Sequence, residues 1–100
     1  MEVGYEEKFD QLAIILQDDY DYDRSIEVEP GFIIDLDKKK HIVAIEIIDC
    51  SMQINKDSQY IKDAKINAFI EVYEYSYKII VDFNDGDCTI EKRLLKDLNN

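Results

Sequence analysis

Apolar and polar residues alternate through the first half of the chain, most regularly between Ser25 and Ser51. A period of two is typical of β-strands that bury one face. Two turn signals divide the alternation, the pair Pro30-Gly31 and the run Lys38–Lys40. The pattern therefore predicts three consecutive strands, at about 25–29, 31–36 and 41–49.

Two further strands are predicted before this region. The run Leu12–Leu16 is apolar at every position, which is typical of a strand covered on both faces, so we expect it in the middle of the sheet. A shorter strand with Val3 and Tyr5 precedes it and ends near Glu6–Lys8. The acidic stretch Asp18–Asp23 is expected to be a solvated loop, because neighbouring carboxylates repel one another and lose hydration when buried.

The second half of the chain begins with a change of period after Cys50. The pattern predicts one short helix near residues 51–64, broken near 55–58, with Ser51 as a candidate N-cap. Alternation then returns and predicts strands at 65–73, 77–83 and 89–95, a hairpin turn at Asn84–Asp87 and a frayed tail.

Together these elements predict a single α+β domain over residues 1–100. We expect an antiparallel sheet meander of about six or seven strands with the short helix packed on it.

Composition supports a globular chain, since 46% of the residues are hydrophobic although 35% are charged. The opening residues lack the basic and apolar regions of a signal peptide, and no long apolar run predicts a membrane span, so a cytoplasmic location without membrane contact is expected. The two cysteines, Cys50 and Cys88, have no metal-ligand spacing and are expected to be buried thiols in a reducing compartment.

Charge narrows the choice of partners. The net charge is −11, and residues 1–30 carry ten acidic residues against Lys8 and Arg24, a net of −8. Such a surface repels phosphate backbones, which argues against direct nucleic-acid binding and favours a basic protein partner. The residues predicted to bind that partner are the acidic and tyrosine positions Asp18, Asp19, Tyr20, Asp21, Tyr22 and Asp23, with Glu27 and Glu29 as flanking charge.

Candidate chemistry beyond charge is weak. The stretch Asp82–Asp87 does not match an EF-hand, because Gly86 is its fifth residue rather than its sixth and Arg93 stands at the twelfth position. Asp35 and Asp37 are spaced as paired carboxylates on one side of a strand, but this spacing also occurs in half-exposed strands. His41 has no nucleophile in an activating motif nearby. We therefore predict a non-enzymatic protein, with no cofactor and no catalytic or metal-binding residue assigned.

Five short motifs follow one another over residues 3–51. They are Tyr5-Glu-Glu-Lys-Phe-Asp10, Leu12-Ala-Ile-Ile-Leu16, Ser25-Ile-Glu-Val-Glu-Pro-Gly31, Ile34-Asp-Leu-Asp37 and Val43-Ala-Ile-Glu-Ile-Ile-Asp-Cys-Ser51. In this order they resemble the small family catalogued as domain of unknown function 2283. Ala44 stands where that family often has glycine, Cys50 where alanine is common, and Lys38–Lys40 where it has a glycine-containing turn. Residues 52–100 lie beyond the resemblance.

The resemblance implies a β-meander with a helix and transfers no catalytic residue. Members of that family are often regarded as candidate antitoxins encoded beside small toxins that attack RNA, and such toxins tend to be basic. We therefore expect an acidic, antitoxin-like interaction module. Three alternatives stay open: a nucleic-acid mimic that occupies the phosphate groove of an enzyme, a protein that binds divalent cations at the acidic cluster, and a homodimer formed through a sheet edge or the tyrosine-rich hairpin.

Overall fold

The computed structural model of the chain describes residues 1–96. Over these residues, eight strands form two antiparallel sheets and are accompanied by two short helices, which confirms the predicted α+β class. The chain divides into two compact units, residues 1–64 and the residues from Lys65 onward. The prediction of one domain over residues 1–100 stays a prediction.

The first unit contains a five-stranded sheet in the order β1-β2-β5-β4-β3. A 3₁₀ turn, Glu7–Phe9, links its first two strands. The Leu12–Leu16 region forms an inner strand, as expected, because β2 lies between β1 and β5. Its expected cover on both faces is wrong, since Leu12 and Ile14 are buried on one face while Ala13 is exposed on the other. The strands are β1 (Glu2–Glu6), β2 (Gln11–Ile15), β3 (Tyr22–Glu29), β4 (Phe32–Asp37) and β5 (Ile42–Ile48).

Two rows of aliphatic and aromatic side chains cross the middle of this sheet. Ile47 lies opposite Leu12 on one side and Phe32 on the other, while Ile45 lies between Ile14 and Ile34 in the same way. All six side chains are at most 1% exposed. Alternation along β2, β4 and β5 places them on one face, and burying each stabilises the fold by about 2 kcal/mol.

The predicted helix near residues 51–64 is present as two helices, α1 (Cys50–Ile54) and α2 (Ser58–Asp63). Asn55 ends α1 in the left-handed conformation, which asparagine tolerates well, so the helix cannot continue through it. Asp57 caps α2 by accepting a hydrogen bond from the amide of Tyr60. Ser51, the predicted cap, lies inside α1.

Helix α1 is tied to the sheet by Gln53. Its side-chain amide donates hydrogen bonds to the carbonyls of Ile48 at 2.7 Å and Gly31 at 3.0 Å. Gly31 has φ +80°, and a Cβ added there would lie 2.8 Å from the Gln53 nitrogen. Only glycine meets both requirements at this turn.

The second unit is a three-stranded sheet with β7 in the centre, and its strands are β6 (Ile66–Val72), β7 (Ser76–Phe83) and β8 (Cys88–Leu95). Alternate residues of β7 are buried, namely Tyr77, Ile79, Val81 and Phe83. The predicted hairpin turn is confirmed, since Asn84, Asp85 and Gly86 all have positive φ. The predicted fraying concerns residues 96–100, of which 97–100 lie outside the described range, and the amide of Lys96 donates to the Tyr75 carbonyl at 2.9 Å.

Neither helix in the described part of the chain is long and apolar enough to span a membrane. Cys50 is buried, Cys88 is half-buried, and neither forms a disulfide.

The central row of the larger sheet gives a test of this fold. Replacing Ile47 with alanine removes three carbon atoms between Leu12 and Phe32, so we expect the free energy of unfolding to fall by about 3 kcal/mol. Urea unfolding followed by circular dichroism measures the change. Met52→Ala is the control, because Met52 is 77% exposed and its truncation should change stability by less than about 0.5 kcal/mol. Equal losses for both variants would contradict this core.

Candidate protein interface

The segment between β2 and β3 carries the first half of the predicted partner-binding residues. Residues 16–21 lie outside regular structure, and the amides of Leu16 and Gln17 hold the start of the segment by donating to the carbonyl of Val43 at 2.8 and 3.3 Å. Asp18, Asp19 and Asp21 are exposed, as expected of a solvated loop. Tyr20 is half-buried.

The other half of the predicted residues lies on β3, at the edge of the sheet. The strand begins at Tyr22, so the solvated loop is shorter than predicted and ends at residue 21. Asp23, Glu27 and Glu29 are exposed, while alternate residues of the strand are half-buried. From Asp23 to Glu29 the strand extends about 20 Å, at about 3.3 Å per residue.

We call the carboxylates of the loop and of β3 the acidic edge; it comprises Asp18, Asp19, Asp21, Asp23, Glu27 and Glu29. Some of them are engaged by neighbours within the chain. Asp23 lies 3.4 Å from Arg24 Nε, and Glu27 accepts a hydrogen bond from the Gly31 amide at 3.0 Å.

The three loop carboxylates of the acidic edge, unlike Asp23 and Glu27, have no bonded neighbour among the described residues. Within residues 1–96, no hydrogen bond or ion pair engages the carboxylates of Asp18, Asp19 and Asp21. Their charges therefore face solvent without compensation from a bonded partner.

Tyr22 is fixed beside the acidic edge. Ser25 Oγ donates to Asp35 Oδ1 at 2.6 Å, so the hydrogen of its contact with Tyr22 at 2.9 Å comes from the tyrosine hydroxyl. A register irregularity between Tyr22 and Arg24 allows residues three apart to meet in this way. Tyr22 is 53% exposed, so about half of the residue is accessible although its hydroxyl is held.

A basic turn, Lys38–Lys40, adjoins the acidic loop, and the sequence pattern did not predict this proximity. The Lys38 amide donates to the Asp21 carbonyl at 3.0 Å. The loop and the turn together border an open pocket of about 430 Å³. It is lined by Gln17, Asp19, Tyr20, Asp21, Asp37, Lys38, Lys39 and His41. The sequence shows the lysine run only as a strand breaker, and no local signal brings it next to a loop seventeen residues earlier.

Asp37 organises that turn. Its Oδ1 accepts hydrogen bonds from the amides of Lys39 at 2.9 Å and His41 at 2.8 Å, and its Oδ2 lies 3.2 Å from His41 Nδ1. The His41 amide, followed by the Lys39 amide and the His41 ring, lowers the pKa of Asp37 against the opposing effect of burial. Asp35 is engaged separately by Ser25, so the two carboxylates have different partners.

Metal ligands do not converge in the described part of the chain. Among residues 1–96, no three histidine, cysteine, aspartate or glutamate side chains are grouped so that they could hold a metal ion. The turn that contains Gly86 connects β7 to β8, and beside it Thr89 Oγ1 of β8 donates to Asp82 Oδ1 of β7 at 3.4 Å.

A cluster of polar side chains around Asp10 joins distant parts of the first unit, and the sequence pattern did not predict it. Asp10 accepts hydrogen bonds from the Tyr5 hydroxyl at 2.6 Å, from Ser51 Oγ at 2.6 Å and from the Ser51 amide at 3.0 and 3.2 Å. The Cys50 amide donates to the Asp10 carbonyl at 3.0 Å. The cluster therefore connects the β1–β2 turn to the start of α1.

These contacts explain two altered pKa values. Burial opposes ionisation of Asp10, but hydrogen bonds from Ser51 and Tyr5 outweigh it and lower the pKa below its ordinary value of 3.8. Burial, together with the hydrogen bond to Asp10 and the negative charge of that carboxylate, raises the pKa of Tyr5 above its ordinary value of 10.0. Tyr5 is thus a donor and Asp10 an acceptor throughout the neutral range.

Comparisons with protein-family models, curated proteins and solved structures gave no match. The interpretation of the acidic edge therefore depends on its own geometry and charge, and the resemblance over residues 3–51 stays a prediction.

The Asp10 cluster gives a pH-dependent test. Because the folded pKa of Asp10 lies below the unfolded value of 3.8, its stabilisation is fully present above about pH 5 and is lost as pH falls through the folded pKa. Asp10→Asn should lower the free energy of unfolding by about 2 kcal/mol at neutral pH, and the deficit should shrink in acid. Urea unfolding at several pH values measures both effects.

A matched control is Asp49→Asn. Asp49 is exposed and has φ 54°, close to the φ of 52° at Asp10, so both sites make the same substitution in the left-handed conformation. Equal stability of the two variants at neutral pH would show that the Asp10 bonds contribute nothing.

Proposed function

We propose that this chain is a non-enzymatic interaction module that binds a basic protein through the acidic edge. The observation that carries this proposal is the set of exposed carboxylates at Asp18, Asp19 and Asp21, which have no bonded partner within residues 1–96. Uncompensated charges of one sign raise the local potential and accelerate encounter with a partner of the opposite sign. Ion pairs inside the chain would have reduced that potential.

Tyr22 supports the same role. An exposed aromatic ring supplies a large apolar contact area, and rings of this kind are enriched among the residues that dominate binding energy. Its hydroxyl is already held by Ser25, so less conformational freedom is lost when a partner packs on the ring.

Lys38 and Lys39 restrict the partner further. They line the pocket beside Asp19 and Asp21, so a uniformly positive surface would meet repulsion at that point. The partner that fits best is basic where it faces Asp18 and β3, and neutral or acidic where it faces the lysines. Such a mixed pattern favours one orientation over others.

The antitoxin-like form of this module rests on the resemblance over residues 3–51. A toxin that cleaves RNA must present positive charge to phosphate, and an acidic protein placed over that charge would exclude the substrate. Competition with RNA for the same partner is the corresponding expectation.

Charge removal from the loop tests the proposed site. The triple variant Asp18→Asn, Asp19→Asn, Asp21→Asn retains the shape of the loop, because asparagine also tolerates the φ of 54° at residue 19. The chain is immobilised, basic proteins retained from a native lysate are eluted with salt, and the captured protein is purified. The rate at which the captured protein associates with the triple variant should be about tenfold lower at low salt than with wild type, and it should depend less on salt.

The control removes equal charge elsewhere. The triple variant Glu2→Gln, Glu6→Gln, Glu74→Gln changes three exposed acids outside the acidic edge and leaves the same net charge. If both triples slow association equally, net charge rather than this surface governs binding. If neither does, the proposed site is wrong.

A further inference from the structure

The two sheets of the described chain end in four strand edges: β1 and β3 in the larger sheet, β6 and β8 in the smaller one. An edge strand presents backbone amides and carbonyls that can pair with another chain, and proteins usually block such pairing with charges, prolines or bulges. A comparison of the four edges shows which one lacks these blocks.

Three edges carry such blocks. β3 has two register irregularities, three exposed acids and Pro30 directly after it. β8 contains the consecutive charged residues Glu91, Lys92 and Arg93. β1 is short, and antiparallel pairing with a second copy about Gly4 would place Glu2 opposite Glu6.

β6 lacks these features. Its sequence, Ile-Asn-Ala-Phe-Ile-Glu-Val, contains no proline, no lysine and one charged residue, Glu71. All seven residues pair with β7 without a register shift. Phe69 is 53% exposed and Val72 is 63% exposed, so large apolar groups accompany the unblocked edge.

We propose that β6 pairs antiparallel with β6 of a second copy of this chain, in a register centred on Phe69. A two-fold axis perpendicular to the sheet relates the two strands. Each side chain must then lie opposite a side chain on the same face of the sheet, and all seven residues of β6 do so in this register. Phe69 then lies opposite the second copy's Phe69, and Val72 lies opposite Ile66.

The residues of β6 themselves suit a second copy as the occupant. In this register the only charged residue of the strand, Glu71, lies opposite the side-chain amide of Asn67, which can donate a hydrogen bond to it. No like charges face each other along the strand. The pairing extends the three-stranded sheet to six strands across the two copies, and the aromatic pair at the centre adds to the backbone bonds.

The experiment is sedimentation of the full chain from about 10 µM to about 1 mM, a range that covers weak homodimers. We expect wild type to dimerise. Phe69→Lys places two lysines opposite each other at the centre of the pair, so the dimer dissociation constant should rise by about tenfold or more. A monomeric wild type over the whole range overturns the proposal.

Phe9→Lys is the matched control. Phe9 is 61% exposed on the 3₁₀ turn of the first unit, so the same change of size and charge is made away from β6. This variant should dimerise like wild type. Dimerisation of Phe69→Lys with wild-type affinity would also overturn the proposal.

Cross-linking checks the register without relying on a charged variant. Phe69→Cys brings two thiols directly opposite each other, within the Cα separation of about 7 Å that a disulfide allows. In the Glu71→Cys variant, the introduced thiol of one copy lies four residues along the strand from the position opposite the introduced thiol of the other copy. Oxidation should link the first variant into dimers above the background of wild type, which has the same native thiols, and should not link the second. Equal linking of both variants contradicts the register.

Discussion

Burial of aliphatic side chains against β5 is the interaction on which the larger unit depends. Ile45 and Ile47 each contact a buried residue on both neighbouring strands, so β2 and β4 are held by the same two side chains. The opposite face of β5 carries Glu46, which accepts a hydrogen bond from Gln11. Because one face is continuous and apolar, the sheet tolerates polar residues on the other face and at its margins.

The acidic residues of this chain serve different purposes, which the net charge conceals. Asp10 and Asp37 accept hydrogen bonds from backbone amides and stabilise a long-range connection and a turn. Glu7 receives hydrogen bonds from Lys62 and Ser58 and ties the 3₁₀ turn to α2. The carboxylates left to face solvent are fewer than the sequence count. Those of the 16–21 loop form the part of the acidic edge that no hydrogen bond or ion pair from residues 1–96 engages.

The two proposed interactions use different strand edges of the chain. The acids of β3 that we propose as binding residues for a basic partner, together with the register irregularities of that strand, also oppose its pairing with another strand. β6 has the opposite character, with regular pairing, apolar residues and a single charge. One edge thus favours recognition through side-chain charge, and the other favours recognition through backbone hydrogen bonds and symmetry.

Local patterns determined much of this architecture. Alternation located β4, β5, β7 and β8 within a few residues, and the Asn84–Asp87 turn follows from residues that accept positive φ. The exposure of Asp18, Asp19 and Asp21 follows from the cost of burying adjacent carboxylates. These features depend on residues that are close in sequence, so the sequence by itself was sufficient to predict them.

Tertiary structure decided the rest. The separation into two sheets, the place of β2 beside β5 and the contact between Lys38 and Asp21 depend on which apolar rows bury one another, and periodicity alone does not identify partners. Asp10 and Ser51 are 41 residues apart, and each looks like an ordinary surface residue in the sequence. Their hydrogen bonds exist because the sheet and α1 bring them together, and only the folded chain shows it.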